Sequence, residues 1–461
     1  MVKSLRNNTV SFTRIYLTKM MYILCALLVG TATTATAAAA QPRLVKIQDQ
    51  NFVLATTGES VVLTGPNVVV KGPPYLPEVS GSTFCVDHTD DECKAAGNCT
   101  SCTSFNQADV DHIKSMGWNQ IRLGVVWAGA QPRDEDALDP EFLRRLHEVL
   151  DLTDRNGLAV ILDNHGDMVA SAGCGNGVPM WFSKKAAPEL IGKPLTTGLP
   201  YKLVPSINVK NTEGYDHCGS DEAKWAAFAG DPNYNLLNEC CLAMNSPNPA
   251  GLGWTEINQR AMDFMVLPGP GRDDFVRFWR LMAAAAADHP SAFAAELMNE
   301  PMTIRRGAMF DTWRAAAEAI SAEVPDMSVS LSDVGEGAVL PEWVGEHDAG
   351  VFISTSTTRW IRESSNLFYA WHYYGQPSDP QQAVRNMLAL GESWNVPTFM
   401  TEFMDCGAWN ACVAANVSFS YWHYSAYCTT GPAFGDLVVP DETFGGCMLG
   451  WGGGDSSKTC A

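Results

Sequence analysis

Basic residues are scarce in this chain of 461 residues, which holds 31 Lys and Arg against 51 Asp and Glu, a formal net charge of −20. A surface of that sign repels nucleic acids and anionic membranes, so we expect no nucleic-acid partner. The chain also lacks the run of ~20 apolar residues needed to span a bilayer. Its strongly apolar run at residues 20–29 has only ten residues. We therefore expect no stable membrane insertion.

Several short motifs that mark metal sites and nucleophilic serines are also missing. There is no HExxH, no EF-hand loop and no second CxxC to complement Cys99 and Cys102. We therefore expect no metal and no cofactor. The absence of a GxSxG pentapeptide counts against a lipase or an esterase.

The first forty residues have the three sections of a secretory signal peptide. Four basic residues precede the apolar run, and the forty residues contain no acidic one. After the run, a stretch rich in Thr and Ala ends at Ala40. This pattern predicts cleavage near Ala40 and a secreted protein. The remainder has 27 Lys and Arg against 51 Asp and Glu, a net charge of −24. Without a low-complexity linker, residues 41–461 read as one domain, which we expect to be a monomer.

Cysteine usage agrees with export. Cys25 lies in the predicted signal, and the other thirteen cysteines cluster in residues 85–102, 174–241 and 406–460. In an exported protein these clusters predict disulfides within loops. The odd number leaves at least one thiol free or bonded between chains. Asn98 and Asn416 each begin an Asn-x-Ser/Thr acceptor pattern for glycosylation.

Apolar strand-like runs alternate with amphipathic helix-like stretches along most of the chain. Eight such strands alternating with helices predict an α/β fold, a parallel (β/α)8 TIM barrel. The predicted strands lie near 61–68, 120–126, 158–164, 293–299, 327–333, 368–374, 397–402 and 419–423. The predicted helices lie near 108–116, 140–156, 273–288, 310–323 and 380–393.

The connection after the third predicted strand is too long for an ordinary loop between a strand and a helix. Residues 166–272 are rich in Gly, Pro and Asn and include Cys174, Cys218, Cys240 and Cys241. Long loops over a barrel mouth commonly build a binding cleft. We therefore expect a long disulfide-bonded insertion that forms a cleft wall and is not a separate domain.

Two predicted strands end on glutamates. FAAELMNEP (293–301) leads to Asn299 and Glu300, and VPTFMTEF (396–403) leads to Glu402. The carboxyl ends of barrel strands face one pocket, so these two carboxylates should meet across a substrate. Such a pair is what glycoside hydrolysis requires, with carboxyl groups about 5–5.5 Å apart in a retaining enzyme.

The other polar residues at predicted strand ends complete an ordered set. In chain order the set is Arg122, His165, Asn299, Glu300, His372, Tyr374, Glu402 and Trp422. This set resembles glycoside hydrolase family 5, the cellulase-like clan, over roughly residues 45–425. The segments 61–77, 121–132 and 163–181 are similar to those of its endoglycoceramidase-like branch. We expect no counterpart here of the C-terminal β-sandwich that is common in that branch.

The resemblance implies roles for these residues. Glu300 corresponds to the acid/base and Glu402 to the nucleophile, while Tyr374 and Arg122 would keep Glu402 ionised. Asn299 would hydrogen-bond a sugar hydroxyl. The resemblance implies that the remaining members bind substrate: His165, His372 and Trp422.

These expectations favour a secreted retaining β-glycosidase acting on a β-glucan-type polysaccharide or on a glycolipid. A transglycosylase using the same intermediate is the first alternative. A barrel that binds carbohydrate at a cell surface without cutting it is the second. Loss of either Glu300 or Glu402 would mark that second alternative, and both are present.

Overall fold

The structure is a computed structural model of the whole chain. The residues it describes are 42–70, 75–80, 105–203 apart from 174, 176, 192, 194 and 200, then 253–332, 353–375, 378–404 and 406–422. The predicted signal peptide, the Asn98 acceptor site and the four cysteines of the predicted insertion lie outside these residues. Those predictions therefore remain predictions.

Eight parallel strands form a closed barrel. Each strand pairs with the next along the chain, and the last pairs with the first. This arrangement confirms the predicted (β/α)8 fold. The barrel strands are β3 (Thr64–Val68), β4 (Gln120–Gly124), β5 (Ala159–Asp163), β6 (Ala292–Glu296), β7 (Ser328–Leu331), β8 (Leu367–Tyr373), β9 (Thr398–Phe403) and β10 (Ser418–Tyr421).

Six of the eight barrel strands end one to three residues earlier than the apolar pattern predicts, and the difference is largest at β6. The run at 293–299 was expected to continue to the Asn299–Glu300 pair, but β6 stops at Glu296. The buried backbone beyond it turns away from the ladder, and Glu300 adopts a positive φ of 41°. Glu300 is therefore carried by the loop after the strand, because apolar side chains bury equally well in a strand and in the covered turn that follows.

Helices connect the strands and cover the barrel. All five predicted helices are present, and the described residues contain five more that were not predicted. The helices are α1 (Gln107–Ser115), α2 (Trp127–Ala130), α3 (Pro140–Asn156), α4 (Met180–Ala186), α5 (Glu256–Val266), α6 (Pro270–Ala285), α7 (Arg306–Glu323), α8 (Thr355–Glu363), α9 (Pro380–Trp394) and α10 (Cys406–Ala415).

Local sequence signals set the ends of the best-predicted helix. Asp139 caps α3 by accepting hydrogen bonds from the next turn, and Pro140 occupies its first position. Proline suits that position because its missing N–H would have no partner there. Gly157 ends the helix in the left-handed conformation, with φ of 63°. A side chain would be strained at that φ.

The predicted insertion at 166–272 contains regular structure of its own. Helices α4 and α5 lie within it, and α6 begins at Pro270 rather than near residue 273. Asn258 in α5 accepts a hydrogen bond from the Ala170 N–H at 2.7 Å and donates to the Gly173 carbonyl at 2.9 Å. The two ends of the insertion are thus tied together beside the third barrel strand.

A short antiparallel hairpin, β1 (Val45–Gln48) and β2 (Asn51–Leu54), precedes the barrel and was not predicted. The ring of Phe52 packs edge-on against Phe293, Phe368 and Phe399, with centroids 5.7–6.2 Å apart. Those three residues lie at the starts of their strands. The hairpin therefore closes the barrel end opposite the carboxyl ends of the strands.

Of the helices in the described residues, none combines the length and the apolar character needed to cross a bilayer.

Candidate active site

Arg122 is the centre of the site and projects from the middle of β4 into the barrel. Its guanidinium donates to both oxygens of Glu296, at 2.7 and 2.9 Å, and to Oε1 of Glu402 at 2.6 Å. Burial alone would lower the pKa of Arg122, but the carboxylates of Asp163, Glu296 and Glu402 raise it above its ordinary value. The guanidinium is therefore a permanent buried positive charge.

Glu402 is surrounded by groups that favour its ionised form. Burial would raise its pKa, but electrostatic interactions with His372, Arg122 and His165 and a hydrogen bond from Tyr374 lower the pKa to about 2. The Tyr374 hydroxyl donates to Oε2 of Glu402 at 2.7 Å. Glu402 is thus a carboxylate at any physiological pH, with both of its oxygens held.

Glu300 faces Glu402 but is more accessible. A carboxylate oxygen of Glu300 lies within 4.8 Å of a carboxylate oxygen of Glu402. A ring nitrogen of His372 also lies within 4.8 Å of both oxygens. The side chain of Glu300 is 35% exposed and that of Glu402 is 5% exposed. The two carboxylates therefore differ in environment, one partly open to substrate and solvent and the other buried against Arg122 and Tyr374.

His372, near the end of β8, and Tyr374, the residue just after β8, both contact the paired glutamates. The Nδ1 atom of His372 lies 3.1 Å from Oε1 of Glu300 and 3.6 Å from Oε2 of Glu402. A register shift between β8 and β9 places His372 opposite Glu402. Such bulges commonly re-aim side chains beside active sites. Tyr373, between them, is buried in the core.

Tyr374 is held as a neutral hydrogen-bond donor. Burial of its hydroxyl, and then the negative charges of Glu402 and Glu300, raise its pKa well above the ordinary value. The residue as a whole is 45% exposed, so its ring edge faces the open side of the site.

His165 lies two residues beyond β5. Its Nδ1 atom is 2.7 Å from Oδ2 of Asp163, and its Nε2 atom is 3.6 Å from Oδ1 of Asp167. The indole of Trp422 stacks on the imidazole, with ring centroids 5.0 Å apart and planes at 13°. One face of Trp422 is therefore covered by His165, and the residue is 8% exposed.

Asn299 bridges Arg122 to the loop after β5. Its Oδ1 atom accepts from Arg122 at 2.8 Å, and its Nδ2 atom lies 3.4 Å from Oδ1 of Asp167. The structure therefore brings together all eight residues of the predicted set.

Two more residues outside the predicted set, Asn67 and Glu296, join Asp163 and Asp167 in this network. Asn67 accepts from Arg122 at 2.8 Å and donates to the backbone carbonyls of Thr401, Ser420 and Tyr421. Glu296 binds Arg122 through both oxygens, and its burial raises its pKa despite that partner. A polar Asn67 inside an apolar strand was the available signal for the first of these. Glu296 is the last residue of β6 and is fully buried.

Glu300, His372 and Glu402 present donor atoms close enough together to hold a cation. Two carboxylates in this arrangement can also act directly on a glycosidic bond, a chemistry that requires no ion.

Comparisons with known proteins agree with this geometry. A family model described as "Cellulase (glycosyl hydrolase family 5)" matches residues 86–194. Endoglycoceramidase I of Rhodococcus hoagii (strain 103S) is 24% identical over 414 residues, which cover 82% of this chain and 68% of that protein. Endoglycoceramidase of Hydra vulgaris is 23% identical over 253 residues, covering 55% of this chain and 40% of that protein. The chain thus spans less than half the length of this second relative.

The fold is also similar to solved structures. A crystal structure of an endogalactoceramidase has a TM-score of 0.51 at 15% identity and covers 83% of this chain and 74% of that one. A likeness at that identity concerns the fold alone. Together with the closed barrel, the family match and the curated relatives indicate a glycoside hydrolase that is similar to family 5 enzymes and to endoglycoceramidases.

Proposed function

We propose that this protein is a retaining β-glycosidase that cleaves the bond between the sugar and the lipid of glycolipids. The observation that carries the proposal is the pair of Glu300 and Glu402, whose oxygens approach within 4.8 Å while Glu402 is held ionised. Retaining enzymes have carboxyl groups about 5–5.5 Å apart, whereas inverting enzymes leave about 6.5–9.5 Å for a water molecule.

In the first step, Glu402 attacks the anomeric carbon and Glu300 donates a proton to the glycosidic oxygen. The bond between that carbon and oxygen breaks, and the lipid alcohol leaves with the proton. The sugar is then joined to Glu402 as an ester. The low pKa of Glu402 and the accessibility of Glu300 suit this division of labour.

In the second step, Glu300 as a carboxylate takes a proton from a water molecule. The water oxygen attacks the anomeric carbon on the face from which the lipid left. The ester bond to Glu402 breaks, and its carboxylate is restored. Two inversions give net retention of the anomeric configuration.

The other members of the set position the reactants. Tyr374 and Arg122 hold the two oxygens of Glu402, and Asn299 lies beside Glu300 where it can bind a sugar hydroxyl. The Nδ1 atom of His372 lies near both carboxylates, so the imidazole helps to orient them. We assign sugar contacts to His165 and to the accessible part of Trp422.

The choice of a glycolipid rests on the curated relatives, whose names describe endoglycoceramidases. By analogy, the products are an intact oligosaccharide and ceramide, released by endo action. A β-glucan is the competing substrate, since the matched family model is described as a cellulase.

The deciding experiment uses the purified protein and a panel of glycosylceramides, β-glucans and β-mannan. Mass spectrometry in water enriched in oxygen-18 should show release of ceramide and one labelled oxygen on the reducing end of the oligosaccharide. Cleavage confined to β-glucans would overturn the choice of substrate. Absence of cleavage on the whole panel would overturn the assignment of glycolipid and glucan activity together.

The roles of the two glutamates are separable with aryl glycosides. Glu402→Gln should abolish turnover, because an amide cannot attack the anomeric carbon. Glu300→Gln should retain turnover of a dinitrophenyl glycoside, whose leaving group needs little protonation. Azide should accelerate that variant and yield a β-glycosyl azide. Glu363→Gln, an exposed position in α8, is the control for the same chemical change. Equal and unrescued losses in both active-site variants would contradict the separate roles.

We also propose that the mature protein is secreted as a disulfide-bonded monomer that carries a glycan. Cys406 is disulfide-bonded, and Cys412 is buried in α10. Asn416 is exposed at the turn before β10, as an acceptor asparagine must be. N-terminal sequencing, glycosidase treatment and light scattering of protein from a secreting host test these points. A mature chain that begins at Met1 would contradict the predicted signal peptide.

A further inference from the structure

A second cluster of ionisable side chains lies at the opposite end of the barrel from Glu300 and Glu402. His147, Asp151 and Asp154 are spaced by four and three residues along α3, so they share one face of that helix. His289 faces them from the turn between α6 and β6. Since β6 begins at Ala292, this turn lies at the end of the barrel where the strands start.

The cluster has the dimensions of a small cation site. The Nδ1 atom of His289 lies 2.8 Å from Oδ2 of Asp154 and 3.7 Å from Oδ1 of Asp151. One donor atom from each of these three residues lies within 4.8 Å of the other two. His289 is 7% exposed, whereas the Asp151 side chain is 60% exposed, so the site has a buried base and an open side.

We propose that His289, Asp151 and Asp154 bind a divalent transition-metal ion, with Zn²⁺ the preferred one. Ligand atoms about 2.0–2.2 Å from a tetrahedral zinc lie about 3.4 Å from one another, so small side-chain shifts suffice. An imidazole with two carboxylates suits zinc better than Mg²⁺ or Ca²⁺, which favour oxygen ligands alone. Water on the open side would complete the coordination.

His147 gives the site a supporting partner. Its Nδ1 atom lies 2.8 Å from the Nε2 atom of His289. When a metal occupies Nδ1 of His289, the ring proton must be on Nε2, where His147 can accept it. A hydrogen bond from the second ring nitrogen is the usual support of a metal-bound histidine. Both rings are therefore already arranged for metal binding.

The surrounding charges also favour a cation. Asp288, exposed beside the cluster, adds a negative charge. A positive group nearby, Arg43, donates to the backbone carbonyls of Ala286 and His289 and is paired with Asp326. A bound ion would join α3 to the turn that leads into β6. We therefore expect it to stabilise the barrel and to leave the chemistry unchanged.

The lack of a metal motif in the sequence is consistent with this site. Two aspartates three residues apart on one helix do not form a recognised metal motif, and His289 lies 135 residues beyond Asp154. Only the packing of α3 against the turn before β6 brings them together.

The test is calorimetric titration of Zn²⁺ into the untagged, chelator-treated protein, with thermal unfolding measured in parallel. The wild type should bind one ion saturably and unfold at a higher temperature with zinc than without it. Loss of a supporting group costs roughly 10- to 100-fold in metal affinity, so loss of a ligand in Asp151→Asn should cost at least about 100-fold. The rate on an aryl glycoside should not change in this variant.

Asp288→Asn is the matched control, because it removes an equal charge from the same surface without removing a donor. Its zinc affinity should fall by less than about 5-fold, the size of a solvent-screened charge interaction. Absence of saturable binding to the wild type would overturn the proposal. So would unchanged binding in Asp151→Asn, which would place the ion elsewhere, for example at Glu300, His372 and Glu402. An equal loss in Asp288→Asn would reduce the site to general charge attraction and would also overturn it.

Discussion

Tyr374→Phe is the most informative single substitution in the site, since it removes one hydrogen bond and little else. The Tyr374 hydroxyl donates to Oε2 of Glu402 at 2.7 Å, while Arg122 holds Oε1 at 2.6 Å. The variant keeps the ring and the positive charges around Glu402. Its effect therefore measures what this one donor contributes to the ionised carboxylate.

The expected magnitude follows from the charge and the burial. A hydrogen bond to a charged group contributes about 1.5–3 kcal/mol, and one pKa unit corresponds to about 1.4 kcal/mol. Because Glu402 is buried, solvent does not screen this contribution. Without the hydroxyl, the pKa of Glu402 should rise by about 1–2 units from its value of about 2. It should remain ionised at neutral pH.

The assay is the pH dependence of kcat/KM on a dinitrophenyl β-glycoside, which reports ionisations of the free enzyme. The leaving group needs little protonation, so the acid limb reports Glu402. The wild-type profile should stay flat on its acid side down to the lowest pH at which the fold persists. In Tyr374→Phe, kcat/KM should begin to fall on the acid side at a pH about 1–2 units above the pH at which it would fall in the wild type.

Tyr373→Phe is the control, because Tyr373 loses the same hydroxyl on the opposite, buried face of β8. Circular dichroism at each pH must show that both variants remain folded. An acid limb that does not move in Tyr374→Phe would refute the reasoning. The same shift in both variants would refute it as well.

Three further predictions concern stability and positioning. Because the folded-state pKa of Glu402 is about 2, below the ordinary value, its stabilisation is complete above pH ~4.3 and is lost as the pH falls towards 2. Glu402 should contribute about 3 kcal/mol of pH-dependent stability, which urea unfolding should detect in the wild type and not in Glu402→Gln. The same dependence of the free energy of unfolding on pH in both proteins would contradict this prediction. Asn67→Ala should lower the free energy of unfolding by about 1–3 kcal/mol, because Arg122 loses a buried hydrogen-bond acceptor. The same loss should reduce kcat more than it changes KM. An unchanged kcat would show that Asn67 is only structural. Phe52→Ala should cost about 3–5 kcal/mol in urea unfolding while kcat per folded molecule stays constant; a change in kcat would contradict the placement of the hairpin away from the site.

The barrel could be predicted because its signals are local and repeated. Buried parallel strands read as short apolar runs, and α3 carries its own start and stop signals at Asp139, Pro140 and Gly157. The order of the parallel strands and the closed barrel then follow from the packing rules for strands that alternate with helices. Helices such as α4 and α5 escaped prediction because they lie in a long segment whose Gly and Pro content masks their short apolar faces.

The candidate site could be predicted as a set of residues but not as a set of contacts. Polar residues at the ends of apolar runs stand out in a linear pattern, which is why Glu402 and His372 were found. Asn67 was missed because nothing in its own segment shows that it meets Arg122. That contact depends on the pairing of β3 with β4, a property of the closed barrel.

The sequence by itself therefore determined the fold class and the identity of the paired glutamates, because both are encoded in short-range patterns of apolar and polar residues. The tertiary structure decided how those residues act. It alone places Glu300 beyond the end of β6 with a positive φ, shifts the register so that His372 faces Glu402, and brings His289 to the helix face of Asp151 and Asp154. Each of these depends on distances between segments far apart in the chain, which only the closing of the barrel sets.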